Sequence, residues 1–346
     1  MKIAIVNNCV PFVYGGAELL ADSLKIKLIE NGHKVTLIQI PFLSHPPQKI
    51  LEHIAACRLL SLEDIDKVIA FKFPSYYIKH PNKVLWLIHQ FRQVYDLWET
   101  SYQNIPKTNL GLKIKGFIIK SDNIFLKEPK KIYTNSKIVS LRLKQYNNLN
   151  SEVLYPPALN PEQFYFREYG NFVFYPSRIT KIKRQCLAIE SMRYVKTNVK
   201  LIIAGNPDTE EELKQINRLI EEYNLKDKVK VIARWISEKE KNNLLADSLA
   251  CLYIPYNEDS YGFVSLESYY SKKPIITCSD SGGTLELIKD GINGYISTPE
   301  PKALAEIMDK LYSNKKLTKK LGETGYEKLI SMKIGWDNVI KKLLDK

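Results

Sequence analysis

The sequence predicts an α/β protein built from two doubly wound parallel sheets. Apolar runs rich in isoleucine and valine alternate with amphipathic stretches from end to end, a pattern typical of parallel strands covered by helices on both faces. The chain has 346 residues, more than one hydrophobic core usually organises, so we expect two domains. No stretch is apolar over the length that spans a bilayer, and a transmembrane protein is not expected.

Residues 1–157 form the first predicted domain. Polar Asn7 and Asn8 cut its first apolar run short, so this run is interpreted as a strand and not as a signal peptide. A helix is expected over Ala17–Glu30, where leucines recur at helical spacing and Asn31-Gly32 provides a stop. The predicted strands are Lys2–Val6, Lys34–Ile40, Lys67–Phe71, Val84–Ile88, Lys131–Thr134 and Glu152–Leu154.

Residues 158–330 form the second predicted domain, which follows a linker at Pro156 and Pro157. Its predicted strands are Phe172–Tyr175, Val199–Ala204, Lys228–Ile232, Ala250–Ile254, Pro274–Thr277 and Gly294–Ile296. Its predicted helices are Lys181–Met192, Glu210–Tyr223, Glu238–Ala246 and Val264–Ser271. Residues 331–346 end the chain with a helix over Trp336–Leu344.

The cysteines and the charge distribution indicate which cellular compartment and which partners to expect. Five scattered cysteines contain no Cys-x-x-Cys pair, so neither disulfides nor a zinc site is indicated and a cytoplasmic location is expected. The net charge is +13, and residues 101–150 hold ten lysines and arginines against Asp122 and Glu128. Such a segment attracts an anionic membrane, a lipid phosphate or nucleic acid by the same electrostatics. It is equally interpreted as a solvated basic face.

Parallel sheets bind ligands at the carboxyl ends of their strands, so two sheets in tandem predict a site in a cleft between them. Gly15-Gly16 opens the first helix and lets backbone amides approach an anion. His89 follows a strand at its carboxyl end. Arg178 and Lys183 follow the first strand of the second domain, where they can hold a diphosphate. Lys181 and Arg184 are competitors for that role.

The segment from Asp259 to Glu267 combines two acids with a glycine turn at a helix start. A carboxylate on the loop can accept hydrogen bonds from sugar hydroxyls, the helix N-terminus can bind phosphate, and Glu267 can accept a pair of ribose hydroxyls. Asp280-Ser281-Gly282-Gly283 follows the next strand and is expected to lead into another helix.

By contrast, Asp64-Ile65-Asp66 precedes its strand and is rejected as a metal site. No metal or cofactor is expected.

Taken in chain order, these features resemble the retaining glycosyltransferases of family four, which have the two-domain GT-B fold. The resemblance covers nearly the whole chain and includes the Trp336-Asp337 start of the last helix. It implies a Rossmann-like acceptor-binding domain, a Rossmann-like nucleotide-sugar donor domain and a helix that crosses back to the first domain, over residues 1–157, 158–330 and 331–346.

The resemblance also implies a role for each matching residue. His89, Arg178, Lys183 and Asp259 would be catalytic, with His89 near the reacting carbon of the sugar. Glu267 would bind the ribose. The implied donor-binding residues are Gly15, Gly16, Arg178, Lys183, Arg234, Trp235, Ile236, Asp259, Tyr261, Gly262, Phe263, Val264 and Glu267. The family has Glu, seven residues and Glu, whereas here the first acid is Asp259, and Glu258 is out of register.

We therefore expect a retaining, metal-independent glycosyltransferase that uses a UDP- or GDP-linked sugar in cell-surface polysaccharide or glycolipid synthesis. Its partners would be the donor, a glycan or lipid-linked acceptor and, through residues 101–150, an anionic membrane. The alternative is a catalytically weakened nucleotide-sugar-binding protein of the same fold. A nucleic-acid-binding protein would need a recognisable module that the sequence lacks, and a sugar-nucleotide epimerase has other motifs.

Overall fold

A computed structural model describes residues 1–11 and 13–345 of the protein. The chain divides into two compact units, which we call unit 1 and unit 2. Unit 1 comprises Met1–Pro157 and Gly335–Lys346, and unit 2 comprises Ala158–Ile334.

Unit 1 is built on a six-stranded sheet in which each adjacent pair of strands is parallel. The strand order is β2-β1-β3-β4-β5-β6, so the chain changes its crossover direction between β1 and β3. The elements are β1 (Lys2–Cys9), α1 (Gly16–Glu30), β2 (Lys34–Pro41), α2 (Lys49–Leu59), β3 (Lys67–Ala70), β4 (Lys83–Leu87), α3 (Asn109–Phe125), β5 (Lys131–Thr134), α4 (Lys137–Asn147) and β6 (Glu152–Val153).

Unit 2 has a second six-stranded parallel sheet, with the order β12-β11-β10-β7-β8-β9. The crossover direction changes between β7 and β10, and the carboxyl ends of these two strands flank the point where such sheets bind ligands. The elements are β7 (Phe172–Pro176), α5 (Gln185–Ser191), β8 (Lys200–Ala204), α6 (Glu210–Glu222), β9 (Val229–Ile232), α7 (Glu238–Asp247), β10 (Ala250–Leu252), α8 (Phe263–Tyr270), β11 (Ile275–Cys278), β12 (Gly294–Ser297), α9 (Pro301–Ser313) and α10 (Lys315–Ser331).

The prediction of two doubly wound parallel sheets is confirmed. Alternating residues of β7 and β8 face a core that the helices cover, with Val173, Tyr175, Leu201 and Ile203 fully buried there. Such apolar strands are what sheets covered on both faces require.

The last helix, α11 (Trp336–Leu344), packs within unit 1. The ring of Trp336 meets Trp86 of β4 edge-on, with the ring centroids 6.5 Å apart. The buried ammonium of Lys67 in β3 donates hydrogen bonds to three carbonyl oxygens at the end of α11. These oxygens belong to Leu343, Leu344 and Asp345, and the distances are 3.0–3.2 Å. Because these carbonyls lack intrahelical donors and carry the negative end of the helix dipole, the lysine stabilises the helix end.

The helix predicted over Lys181–Met192 is interrupted, so that prediction is wrong in its first turn. The structure has a short 3-10 turn at Lys181–Lys183, then Arg184 in the left-handed region with φ of 59°, and only then α5. The Arg184 guanidinium donates to the carbonyl oxygens of Ile254 and Pro255 at 2.7 and 3.0 Å, and forms two 2.8 Å bonds with Asp280. These tertiary bonds stabilise the left-handed residue against the local helix preference.

α3 is fixed to unit 1 by a buried acid on its inner face. The carboxylate of Asp122 accepts hydrogen bonds from the hydroxyls of Tyr76, Tyr77 and Tyr95 at 2.6–2.8 Å. Burial raises the pKa of Asp122 to about 6, although the three phenols act in the opposite direction. Across the described part of the chain, no helix combines the length and the apolar character that crossing a membrane requires.

Candidate functional site

The loop that follows β7 carries two of the predicted cations. Arg178 is half-buried, and its Nη1 lies 2.7 Å from the carboxylate of Asp208. The ammonium of Lys183 donates to the hydroxyl of Tyr253 at 2.9 Å and forms an ion pair with Glu258. The structure therefore places Lys183 at the carboxyl end of β10, because Tyr253 directly follows that strand.

The start of α8 lies against the same tyrosine. Gly262 has φ of 73°, and a Cβ there would come within 2.4 Å of the Tyr253 ring, so this close turn requires glycine. Phe263 and Val264 open the helix, and amides in a first helical turn have no intrahelical acceptor. Both amides stand at the positive end of the helix dipole, which suits a phosphate.

Glu267 lies on α8 and is almost fully buried. Its Oε1 accepts a 2.7 Å bond from Lys241 of α7, while its Oε2 has no hydrogen-bond partner among the described residues. Burial raises the pKa of Glu267, against the effect of Lys241. For Lys241, the attraction of Glu267 and Glu238 outweighs burial and raises the pKa of the ammonium. Lys241 thus favours the charged carboxylate against the effect of burial, and Oε2 is a buried acceptor that no described residue satisfies.

The glycines after β11 allow two loops to approach each other closely. Asp280-Ser281-Gly282-Gly283 leads into a short 3-10 turn, Gly283–Glu286, and not into an α-helix. A Cβ on Gly282 would lie 2.5 Å from the carbonyl oxygen of Glu258, and one on Gly283 would lie 2.7 Å from the backbone of Ser260. These glycines therefore let two backbones touch.

Two of the predicted donor-binding residues of the loop before α8 are buried. Asp259 and Tyr261 are 8% and 1% exposed. Glu258, which the register excluded, is the acid of this loop that meets Lys183. The signal in the sequence was its position next to Asp259, but no spacing rule favoured it.

The loop after β9 has one exposed aromatic and one anchored arginine. The guanidinium of Arg234 forms two bonds of 2.8 and 2.9 Å with Glu240, and the ring of Trp235 is 52% exposed. Ile236 is buried in the core with Phe174 and Cys251. A contact from Ile236 to a nucleotide base would therefore come from its backbone.

In unit 1, the side chain of Glu18, in the first turn of α1, caps the Gly15-Gly16 turn. The carboxylate of Glu18 accepts a 3.1 Å bond from the amide of Gly15, and its other oxygen pairs with Lys72 at 2.9 Å. Lys72 follows β3, so the pair lies at the switch point of this sheet. This ion pair is a feature that the sequence analysis missed.

His89 and the Asp64-Ile65-Asp66 motif lie at opposite ends of their strands. His89 follows β4 and is half-buried, and its Nδ1 donates to the carbonyl oxygen of Gln90 at 2.7 Å. Asp64 and Asp66 precede β3 and bind the side chain and the amide of Lys2. The described residues include no group of three or more histidines, cysteines and acids that could hold a metal ion.

Residues 159–328 match the family of glycosyl transferases group 1, which takes in nearly all of unit 2. Unit 2 belongs to the glycosyl transferases of group 1. Alpha-1,3/1,6-mannosyltransferase ALG2 of Dictyostelium discoideum is 31% identical over 139 residues, 39% of this chain and 32% of that protein. The capsular polysaccharide biosynthesis glycosyltransferase CapM of Staphylococcus aureus is 25% identical over 177 residues, 49% and 45% of the two chains. These matches thus span a third to a half of the relatives' lengths.

Solved structures share the fold of this chain. The crystal structure of HepE from Anabaena in complex with UDP and glucose has a TM-score of 0.74 to this chain. The identity is 16%, and the match covers 99% of this chain and 98% of HepE. Together with the family match, this confirms the GT-B fold and the resemblance to glycosyltransferases.

We predict that Lys241→Met lowers the free energy of unfolding by about 3–5 kcal/mol, because it leaves the buried carboxylate of Glu267 without a cation. The double variant Lys241→Met, Glu267→Leu should recover most of this loss. Urea unfolding followed by circular dichroism at pH 7.5 measures both. An unpaired buried carboxyl has a raised pKa, so it takes up a proton as the pH falls towards 4.5. The loss of unfolding free energy in Lys241→Met should therefore become smaller at low pH.

A loss below about 1 kcal/mol in Lys241→Met, or a double variant no more stable than the single one, would contradict this account of the pair.

Proposed function

We propose that the protein is a retaining glycosyltransferase of family four, which moves a sugar from a UDP- or GDP-linked donor to an acceptor hydroxyl. The observation that carries the proposal is the cluster at the switch point of the second sheet. There, Lys183 follows β7, Tyr253 and Glu258 follow β10, and α8 begins over the same tyrosine. A cation and a helix N-terminus suit a diphosphate, and Glu267 suits a ribose.

The similar proteins support the same choice of substrate. HepE was crystallised with UDP and glucose, ALG2 is named a mannosyltransferase, and CapM is named for capsular polysaccharide biosynthesis. We extend these properties to this chain as part of the proposal. The acceptor would accordingly be a glycan or a lipid-linked glycan of the cell surface, and the location would be cytoplasmic.

The proposed reaction needs no metal, because side chains neutralise the leaving group. The acceptor oxygen bonds to the anomeric carbon on the face that the diphosphate leaves, and the carbon–oxygen bond to the diphosphate breaks. The diphosphate oxygen takes the bonding electrons and the proton of the acceptor hydroxyl. Arg178 and Lys183 hold the charge that grows on it, and His89 of unit 1 remains the predicted contact to the sugar.

The alternative function is binding of a nucleotide sugar without transfer. Asp259 is the reason to consider it, because its side chain is one methylene shorter than the glutamate of the family pattern. Nucleotide release from UDP-glucose and GDP-mannose, with and without candidate acceptors, separates the two functions. Binding without release in every mixture would favour the alternative.

We predict that Arg178→Ala and Lys183→Ala each lower turnover by about 100-fold or more, with a smaller effect on donor affinity, because the charge they hold is largest in the transition state. Nucleotide release measured over a range of donor concentrations gives kcat and KM. Lys214→Ala, on the exposed face of α6, is the matched control. Turnover within a factor of two of the unmodified protein in both site variants would overturn this role.

The outer face of α3 supports the proposed contact with an anionic membrane. Leu110, Phe117 and Ile124 recur every seven residues and are 40%, 47% and 60% exposed, so they lie along one side of the helix. Lys113 and Lys120 are exposed on the adjacent positions. The only acid of α3, Asp122, is buried on the inner face. Apolar side chains flanked by lysines are typical of helices that lie on anionic membranes.

We predict that the protein sediments with vesicles of phosphatidylglycerol and phosphatidylcholine at low salt, and far less with phosphatidylcholine alone. Lys113→Gln with Lys120→Gln should weaken this binding about tenfold or more, and Phe117→Ser with Ile124→Ser should weaken it at all salt concentrations. The control is Leu59→Ser with Leu141→Ser, two exposed leucines outside this face. Equal binding to both vesicle types, or equal loss in the control, would show α3 to be a solvated face.

A further inference from the structure

Glu258 is the acid that contacts Lys183, one of the two predicted leaving-group cations. Its carboxylate pairs with the ammonium of Lys183, and its Oε2 accepts a 3.1 Å bond from the hydroxyl of Tyr253. The side chains of Lys183 and Glu258 are only 15% and 18% exposed. A pair shielded from water to this degree is a defined structural contact and not a loose surface ion pair.

The backbone of Glu258 is fixed at this position from the neighbouring loop. Its amide donates to the carbonyl oxygen of Ser281 at 3.2 Å, and its carbonyl oxygen accepts from the amide of Gly283 at 2.8 Å. Gly282 and Gly283 are needed because their Cβ atoms would collide with residues 257–260. Gly282 and Gly283 therefore hold Glu258 beside Lys183.

The backbone on both sides of Glu258 is irregular, so sequence spacing alone does not predict which acid of the loop faces Lys183. Asn257 has φ of 46°, in the left-handed region, and Gly262 has φ of 73°. Between these two positions the chain is neither strand nor helix. Counting eight residues back from Glu267 therefore does not predict which side chain reaches the site.

We propose that Glu258, rather than Asp259, binds the hydroxyls of the transferred sugar. This inference rests on the proposed function. Glu258 also pairs with Lys183. When a nucleotide sugar binds, the ammonium turns to the diphosphate, and the carboxylate is released to accept hydrogen bonds from the sugar.

This double role predicts opposite effects of one substitution on two measurements. Glu258→Gln removes the charge that competes with a diphosphate for Lys183, so free UDP or GDP should bind about threefold or more tightly. The same change weakens the contact to the sugar, so turnover of UDP-glucose or GDP-mannose should fall about tenfold or more. A residue that only supports the fold would weaken both together.

The experiment compares Glu258→Gln, Asp259→Asn and the surface control Glu211→Gln with the unmodified protein. Calorimetric titration with UDP and GDP gives binding, nucleotide release from UDP-glucose and GDP-mannose gives turnover, and melting temperatures show that each variant is folded. Glu258→Asp is the second variant if Glu258→Gln does not fold. We expect Glu258→Gln to bind the diphosphate more tightly and to lose more turnover than Asp259→Asn.

Two results would overturn the inference, and they are distinguishable. If the unmodified protein turns over a donor but Asp259→Asn loses as much turnover as the Glu258 variant, or more, then Asp259 is the sugar-binding acid and the proposed function stands. If the unmodified protein binds neither diphosphate and releases no nucleotide, the proposed function fails and this inference fails with it.

Discussion

The pairing of β7 with β10 is the constraint on which the candidate site depends. The two strands are 77 residues apart in the sequence by their facing pair, Val173 and Ala250, yet they are neighbours in the second sheet. Since all strands of this sheet are parallel, the loops that leave them emerge at the same edge. One loop brings Lys183, and the other brings Tyr253 and Glu258. The cation and the acid meet only because these two strands do.

The charged side chains of the candidate site form ion pairs that are largely shielded from water. Lys183 pairs with Glu258, Arg184 with Asp280, and Lys241 with Glu267. Burying a pair of charges costs desolvation free energy that the attraction between them only partly returns, so such pairs are weak evidence for a role in stability. In the proposed function these charges serve the binding of the donor. Arg184 holds the loops after β10 and β11 together, and Lys241 positions Glu267. The proposed function assigns Lys183 and Glu258 to the donor.

The sequence predicted the sheets well because their strands are continuous apolar runs. β7, for example, begins at Phe172 as predicted. It ends at Pro176, one residue beyond the predicted end at Tyr175. The prediction of a helix over Lys181–Met192 is wrong in its first turn because Arg184 forms hydrogen bonds with residues 70 and 96 positions away. No local pattern contains that information. The contact of Glu258 with Lys183 was missed for a related reason, since spacing counted from Glu267 assumes regular backbone and the chain from Glu258 to Gly262 is neither strand nor helix.

The most direct test of the account is hydrogen exchange of the backbone amides, with and without whichever of UDP, GDP or ADP raises the melting temperature most. The account predicts slower exchange over residues 177–184 and 258–267, with no change over α3, whose residues take no part in nucleotide binding. Protection confined to residues 1–157, or none over 177–184 and 258–267 at saturating nucleotide, would contradict the assignment of the donor site to unit 2.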